Sequence, residues 1–209
     1  MKLILLASAL ALLSGCSVGH TEFSKEAYKK TDLTFVGIPT VLGVGFSGTT
    51  TPITPTLSLT AKHVAVLTLN RVKSYHPYCD LALIYHDNSD VKFPKFKNPE
   101  LNGSVNLYGF SGRTALGVES KGTLFSDTRI DNLFTDKNKC IETVTTAGSI
   151  QGMSGGVAYN DDGTISGIIV AQSYKMTNPV SGKSAAGAII VPYSNFSQWL
   201  EKEAGIKAN

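Results

Sequence analysis

Three short segments carry side chains suited to acyl transfer. Residues 152–156 read Gly-Met-Ser-Gly-Gly. Glycines on both sides of Ser154 let the backbone turn sharply, expose Oγ and bring N–H groups close to a reacting carbonyl oxygen. Taken alone, such a piece is also common in ordinary loops. Residues 57–65 read Leu-Ser-Leu-Thr-Ala-Lys-His-Val-Ala, so His63 follows an apolar strand. A lone histidine is more often structural than reactive. Residues 80–84 read Asp-Leu-Ala-Leu-Ile. Asp80 therefore stands where burial begins, a place that turn-forming aspartates also favour.

Read together, in the order His, Asp, Ser, these segments resemble the trypsin-like (chymotrypsin-fold) serine proteases, in their bacterial form. Thr60-Ala61-Lys62-His63-Val64, Asp80-Leu81-Ala82-Leu83 and Gly152-Met153-Ser154-Gly155-Gly156 are each similar to one of that family's motifs. Residues 117–124 resemble a second-barrel strand of bacterial members. Ile141-Glu142-Thr143, Ala147, Gly148 and residues 163–168 resemble the surroundings of their nucleophile. The resemblance runs from Phe35 to Leu200. It implies Ser154 as nucleophile, with His63 as the base that takes its proton and then the acid that protonates the leaving amine. It implies Asp80 as the group that holds one imidazole tautomer. The N–H groups of Gly152 and Ser154 would form the oxyanion hole, and the substrate would be a protein or peptide, with no cofactor and no metal.

The same resemblance implies an all-β chain of two compact six-stranded antiparallel barrels with a C-terminal helix. Barrel one would span about 35–92, barrel two about 103–193 and the helix about 193–207. Barrel one is lean for six strands, and a reduced form is the alternative. Met153 stands where animal members carry an Asp that pairs with a freshly cut N-terminus. The His63–Asp80 interval is only 17 positions. Asp87 and Asp90 are substitutes for the third member, but neither opens an apolar strand. By position, Gly148, Ser149, Val170, Ala171 and Gln172 would line the specificity pocket, with Gly187 near its other wall. No carboxylate is among them, which disfavours a basic residue at the cleaved position and leaves a small or medium apolar one. The polar segment 173–184 is expected to be a loop over the cleft.

The elements that must position these residues are short. Strand-like runs recur at 35–46, 56–60, 64–69, 81–85, 104–110, 117–125, 140–145, 156–159, 166–171 and 186–191, broken by Gly, Pro, Asn and Asp. Such spacing predicts an all-β sandwich or barrel. Asn160-Asp161-Asp162-Gly163 is a hairpin turn signal, and residues 91–103, with two prolines, read as a linker between two sets of strands. Phe196, Trp199 and Leu200 fall on one face of the terminal helix.

Composition sets the compartment and the partners. The 209 residues are 42% apolar and 17% charged, which is globular, not disordered. Nineteen basic and sixteen acidic residues leave a net charge of +3, without a dense basic run, so nucleic acid is a poor partner. Lys2, the apolar run 3–13 and the small residues before Cys16 form a secretory signal, too short to span a bilayer. Leu13-Ser14-Gly15-Cys16 resembles the lipobox of bacterial lipoproteins. It implies removal of residues 1–15, lipidation of Cys16, a polar tether over 16–34 and a site in the bacterial envelope. The Ser17 that follows implies the outer membrane, facing the periplasm. Export would place Cys79 and Cys140 in an oxidising compartment, and whether they pair is left open. His63, His76, Cys79 and His86 are ligand types suited to zinc, but their spacing matches no standard site, so no metal is expected. The short His63–Asp80 interval motivates a second reading, a non-catalytic lipoprotein of the same fold that binds envelope or phage-related proteins.

Overall fold

Runs of β-branched and apolar residues between turn residues become strands throughout the computed structural model, which describes residues 17–37, 45–66, 68, 71–89 and 92–207. In chain order, Ser17–Val18 is β1, Glu22–Phe23 is β2 and the single helical turn Ala27–Lys30 is α1. A first sheet follows, built from β3 (Asp32–Gly37), β4 (Gly45–Thr54), β5 (Leu57–Thr60), β6 (Val72–Tyr75) and β7 (Ala82–Tyr85). Between β5 and β6 the chain makes one helical turn, α2 (Lys62–Ala65). Sheet order is β3-β4-β5-β7-β6, antiparallel at every pairing.

The second half contains β8 (Ser104–Phe110), β9 (Gly117–Thr128), β10 (Glu142–Thr145), β11 (Ser149–Ile150), β12 (Val157–Tyr159), β13 (Ile165–Thr177) and β14 (Ser184–Pro192). Strands β10, β14, β13, β12, β8 and β9 follow one another, and β10 pairs with β9 to close a six-stranded barrel. A 3-10 turn at Tyr193–Asn195 leads into α3 (Ser197–Ala204). Phe196 and Leu200 of this last segment are fully buried, in the same core as Leu59, Leu81 and Leu83 of the first sheet and Val144, Ile165 and Ile168 of the barrel. Burying each such side chain is worth about 1.5–3 kcal/mol, and one shared core fixes the two halves against each other. A second cluster, including Leu107, Met153, Ile169 and Ile190, fills the barrel itself.

The closed second barrel and the terminal helix match expectation. The first unit takes the reduced form: among the described residues it is a five-stranded sheet whose two edge strands, β3 and β6, do not pair with each other. Residues 64–69 were expected as a strand, yet Val64 and Ala65 lie in α2, because the Ala61 carbonyl accepts both of their N–H groups at 3.1 and 2.9 Å. The expected loop 173–184 is largely hairpin, with Thr177 paired to Ser184 and Met176 to Ala185. The expected linker 91–103 is pinned in part: Phe96 is buried, stacked on Tyr193, and Lys95 and Lys97 exchange backbone hydrogen bonds with Ile165. The expected tether is folded. β1 pairs with β11, β2 pairs with β9, and Val18, Ser24, Ala27 and Thr31 are buried. Cys16 and Asp90 lie outside the described residues, as do 38–44 within the expected strand 35–46.

Candidate active site

His63 stands in the single turn α2, immediately after β5, and Asp80 stands just before β7. Because β5 and β7 are adjacent in the sheet, with Thr60 opposite Ala82, the end of one strand meets the start of the other. Both carboxylate oxygens of Asp80 serve His63: Oδ1 accepts its backbone N–H at 3.0 Å and Oδ2 lies 2.7 Å from ring Nδ1. The Asp80 side chain is 4% exposed and that of His63 32%, so the carboxylate is buried and the far ring edge faces outward. Such a pairing fixes ring orientation and makes Nδ1 the protonated nitrogen. The short interval suffices because residues 76–81 turn tightly. His76 Nδ1 accepts the N–H groups of Tyr78 and Cys79 at 3.2 and 2.8 Å, and the His76 N–H reaches the Leu81 carbonyl.

Ser154 lies in the loop between β11 and β12, hung from strand β4 of the first sheet. The Thr49 N–H donates to the Ser154 carbonyl at 2.8 Å, Thr49 Oγ1 to the Gly152 carbonyl at 2.7 Å and Thr51 Oγ1 to the Gly155 carbonyl at 3.0 Å. Gly155 has φ +87°, and a Cβ there would fall 2.0 Å from the Thr49 carbonyl oxygen and 3.1 Å from Ala61 N. Only glycine allows this approach, and it brings the Ser154 loop against the residues that lead into His63. Ser154 is half-buried. Among the described residues its hydroxyl makes no hydrogen bond to His63.

The same loop presents two N–H groups. The Gln151 carbonyl accepts the Gly112 N–H at 2.7 Å. In a planar trans peptide the following N–H, that of Gly152, points the opposite way. Neither this N–H nor that of Ser154 is spent on an acceptor among the described residues. A hydroxyl with two unspent donors beside it, and an oriented imidazole in the turn after β5, are the parts that a carbonyl-attacking site requires.

No protein-family model matches the chain, and no curated protein matches it in sequence. Solved structures do match. The active form of the Rv3671c protease from M. tuberculosis superposes with a TM-score of 0.62 at 14% identity, over 88% of this chain and 86% of that one. The HtrA-type protease AlgW with a tripeptide gives a TM-score of 0.62 at 15% identity, over 86% of this chain and 62% of that one. The serine endoprotease from Yersinia pestis gives 0.58 at 17% identity, over 84% and 62%. The chain thus spans less than two thirds of the length of these last two. The fold is trypsin-like.

Within the trypsin-like fold the expected pocket residues are neighbours. The Ala188 N–H donates to the Ala147 carbonyl at 2.8 Å, setting Gly148 and Ser149 beside the strand that carries Gly187. Across the β13–β14 pairing, Ala171 faces Ile189 and Gln172 faces Ala188, while Val170 is buried. A Cβ on Gly148 would fall 2.4 Å from the His20 carbonyl oxygen, so the N-terminal segment occupies the space that a side chain there would need. Cys79 and Cys140 form a disulfide with a Cα–Cα distance of 5.3 Å, one residue from Asp80.

Other side chains at the site carried no signal in the sequence. The Phe134 ring lies tilted by 50° against the His63 ring, with centroids 6.0 Å apart, and the Phe134 carbonyl accepts Lys62 Nζ at 3.1 Å. Burial holds the Lys62 ammonium below its usual range, against the pull of Asp80. Thr49 has no motif around it that sets it apart from Thr50 or Thr51. The four residues weighed as zinc ligands are used separately. His63 pairs with Asp80, His76 caps a turn, Cys79 is in the disulfide and His86 Nδ1 contacts Asn88 Oδ1. Among the described residues no group of three or more ligand-type side chains gathers.

Proposed function

We propose that the chain is a serine endopeptidase that cleaves protein or peptide substrates through an acyl-enzyme. Ser154 Oγ attacks the scissile carbonyl, and His63 takes its proton. Asp80 keeps the proton-bearing Nδ1 turned inward and stabilises the imidazolium. The N–H groups of Gly152 and Ser154 receive the oxyanion, and His63 then protonates the leaving amine. The observation that carries this reading is the buried Asp80 with both oxygens on His63, facing a serine loop with two unspent N–H groups. Loss of one such donor typically costs about 3 kcal/mol of transition-state stabilisation.

The lipobox-like run before Cys16 supports attachment to the bacterial envelope, at the outer membrane facing the periplasm. Ser17 already belongs to β1, so no flexible spacer would separate a lipid on Cys16 from the folded domain. Cleavage would then take place close to the bilayer. The unbonded Ser154 hydroxyl is the feature that favours the second reading, a trypsin-fold protein that binds other proteins without cutting them. Incubation with an unfolded protein decides between them. The purified chain is expected to produce fragments, and Ser154→Ala none. Fragments in neither case, with peptide binding retained, favour the binding protein.

A further inference from the structure

Strand β11 has one ladder partner among the described strands, the N-terminal strand β1. Ser17 faces Ile150 and Val18 faces Ser149, with Val18 only 4% exposed. Beyond them the two backbones touch. Gly19 has φ +67°, and a Cβ on it would fall 2.8 Å from the Gly148 Cα, while one on Gly148 would fall 2.4 Å from the His20 carbonyl. A glycine faces a glycine because nothing larger lets the segments meet.

What β1 braces is the start of the Ser154 loop. The Ile150 carbonyl accepts the Met153 N–H at 3.2 Å, and the next peptide, Gln151–Gly152, owes its orientation to the bond from Gly112. Met153 is fully buried among apolar side chains and contributes no charge that an ion pair might use to hold the loop. The fixed points of the Gly152 N–H are therefore the Gly112 contact, the Thr49 hydroxyl on the Gly152 carbonyl, and Ile150, which β1 clamps. Shifts of about 1 Å in such donors cost on the order of 100-fold in rate.

We infer that Val18 and Gly19 are positioning residues for the oxyanion-binding peptide: the N-terminal strand holds residues 148–150 and so aims the Gly152 N–H. This rests on the protease reading. It makes the segment next to the proposed lipid site part of the working enzyme, not a leash.

The test uses the full chain in detergent, with steady-state hydrolysis of a peptide that the parent cleaves. Gly19→Val adds a side chain where the backbones touch, and a deletion of residues 17–20 removes the strand without a clash. Thermal unfolding identifies which of them are folded. In the folded variants kcat is expected to fall about 10- to 100-fold while KM changes by less than about threefold, because the donor acts on the transition state. A folded Gly19→Val or deletion variant with the parent's kcat overturns the inference and leaves the protease reading intact. An inactive parent removes both.

Discussion

Thr49 Oγ1 accepts the Phe110 N–H at 3.0 Å and donates to the Gly152 carbonyl, while the Thr49 N–H holds Ser154. One buried hydroxyl thus ties a strand of each half to the reactive loop. Thr49→Val keeps the shape and strands both partners, at a cost of about 1–3 kcal/mol. Urea unfolding should show that loss and peptide hydrolysis a lower kcat, with Thr49→Ser restoring both; unchanged values would deny Thr49 this role. Glu142 lies fully buried in β10, where burial pushes its carboxyl up to about 7, opposed by hydrogen bonds from the Ile130 N–H and the Thr135 hydroxyl. Between its ordinary 4.5 and about 7, the folded chain holds a proton that the unfolded chain has released. The stability from this group is full below the lower value and lost as pH rises through the upper one. Glu142→Gln mimics the protonated form, so its Tm should gain on the parent's from pH 5 to pH 8; parallel curves would contradict this. The candidates His63, Asp80 and Ser154 stood out in the sequence because glycines and apolar strand residues frame them, and the structure pairs the first two. Thr49 was not, since a threonine in a threonine run has no local mark of its partners.

The segment 129–139 leaves β9 at Thr128, whose hydroxyl contacts Met176 Sδ of β13, and returns at Cys140, bonded to Cys79. Between these ends Phe134 packs on His63, and the Asp136 N–H reaches the Tyr78 carbonyl. The disulfide therefore anchors both this segment and the turn that presents Asp80. Replacing both cysteines by alanine should lower stability by about 2–4 kcal/mol in urea unfolding and slow hydrolysis by loosening Asp80. A variant as stable and active as the parent would show that the turn holds itself. Elements of the second barrel were legible in their apolar runs. Others were hidden for identifiable reasons. β6 has no fully buried residue, only half-buried Val72 and Ser74 alternating with exposed Lys73 and Tyr75, and it lies at a sheet edge. The N-terminal segment buries small residues, Ser24, Ala27 and Thr31 among them, so its polar composition read as a tether. The β13–β14 hairpin extends to Thr177 and Ser184 on exposed polar residues, paired by backbone bonds that composition does not report.

Across the whole molecule, the five-stranded sheet supplies His63 and Asp80, the closed barrel supplies Ser154, and the core shared with the terminal helix holds the two in register. A trimmed first unit still delivers its two residues because they sit at the ends of adjacent strands, β5 and β7. No helix among the described residues is long and apolar enough to cross a membrane. The most direct test of the central claim, that His63 activates Ser154, is reaction of the chain with a fluorophosphonate, followed by mass spectrometry. The account predicts one stoichiometric adduct, mapped to Ser154, formed at least about 100-fold more slowly in His63→Ala. No adduct on Ser154, or an adduct formed as fast without His63, would contradict it.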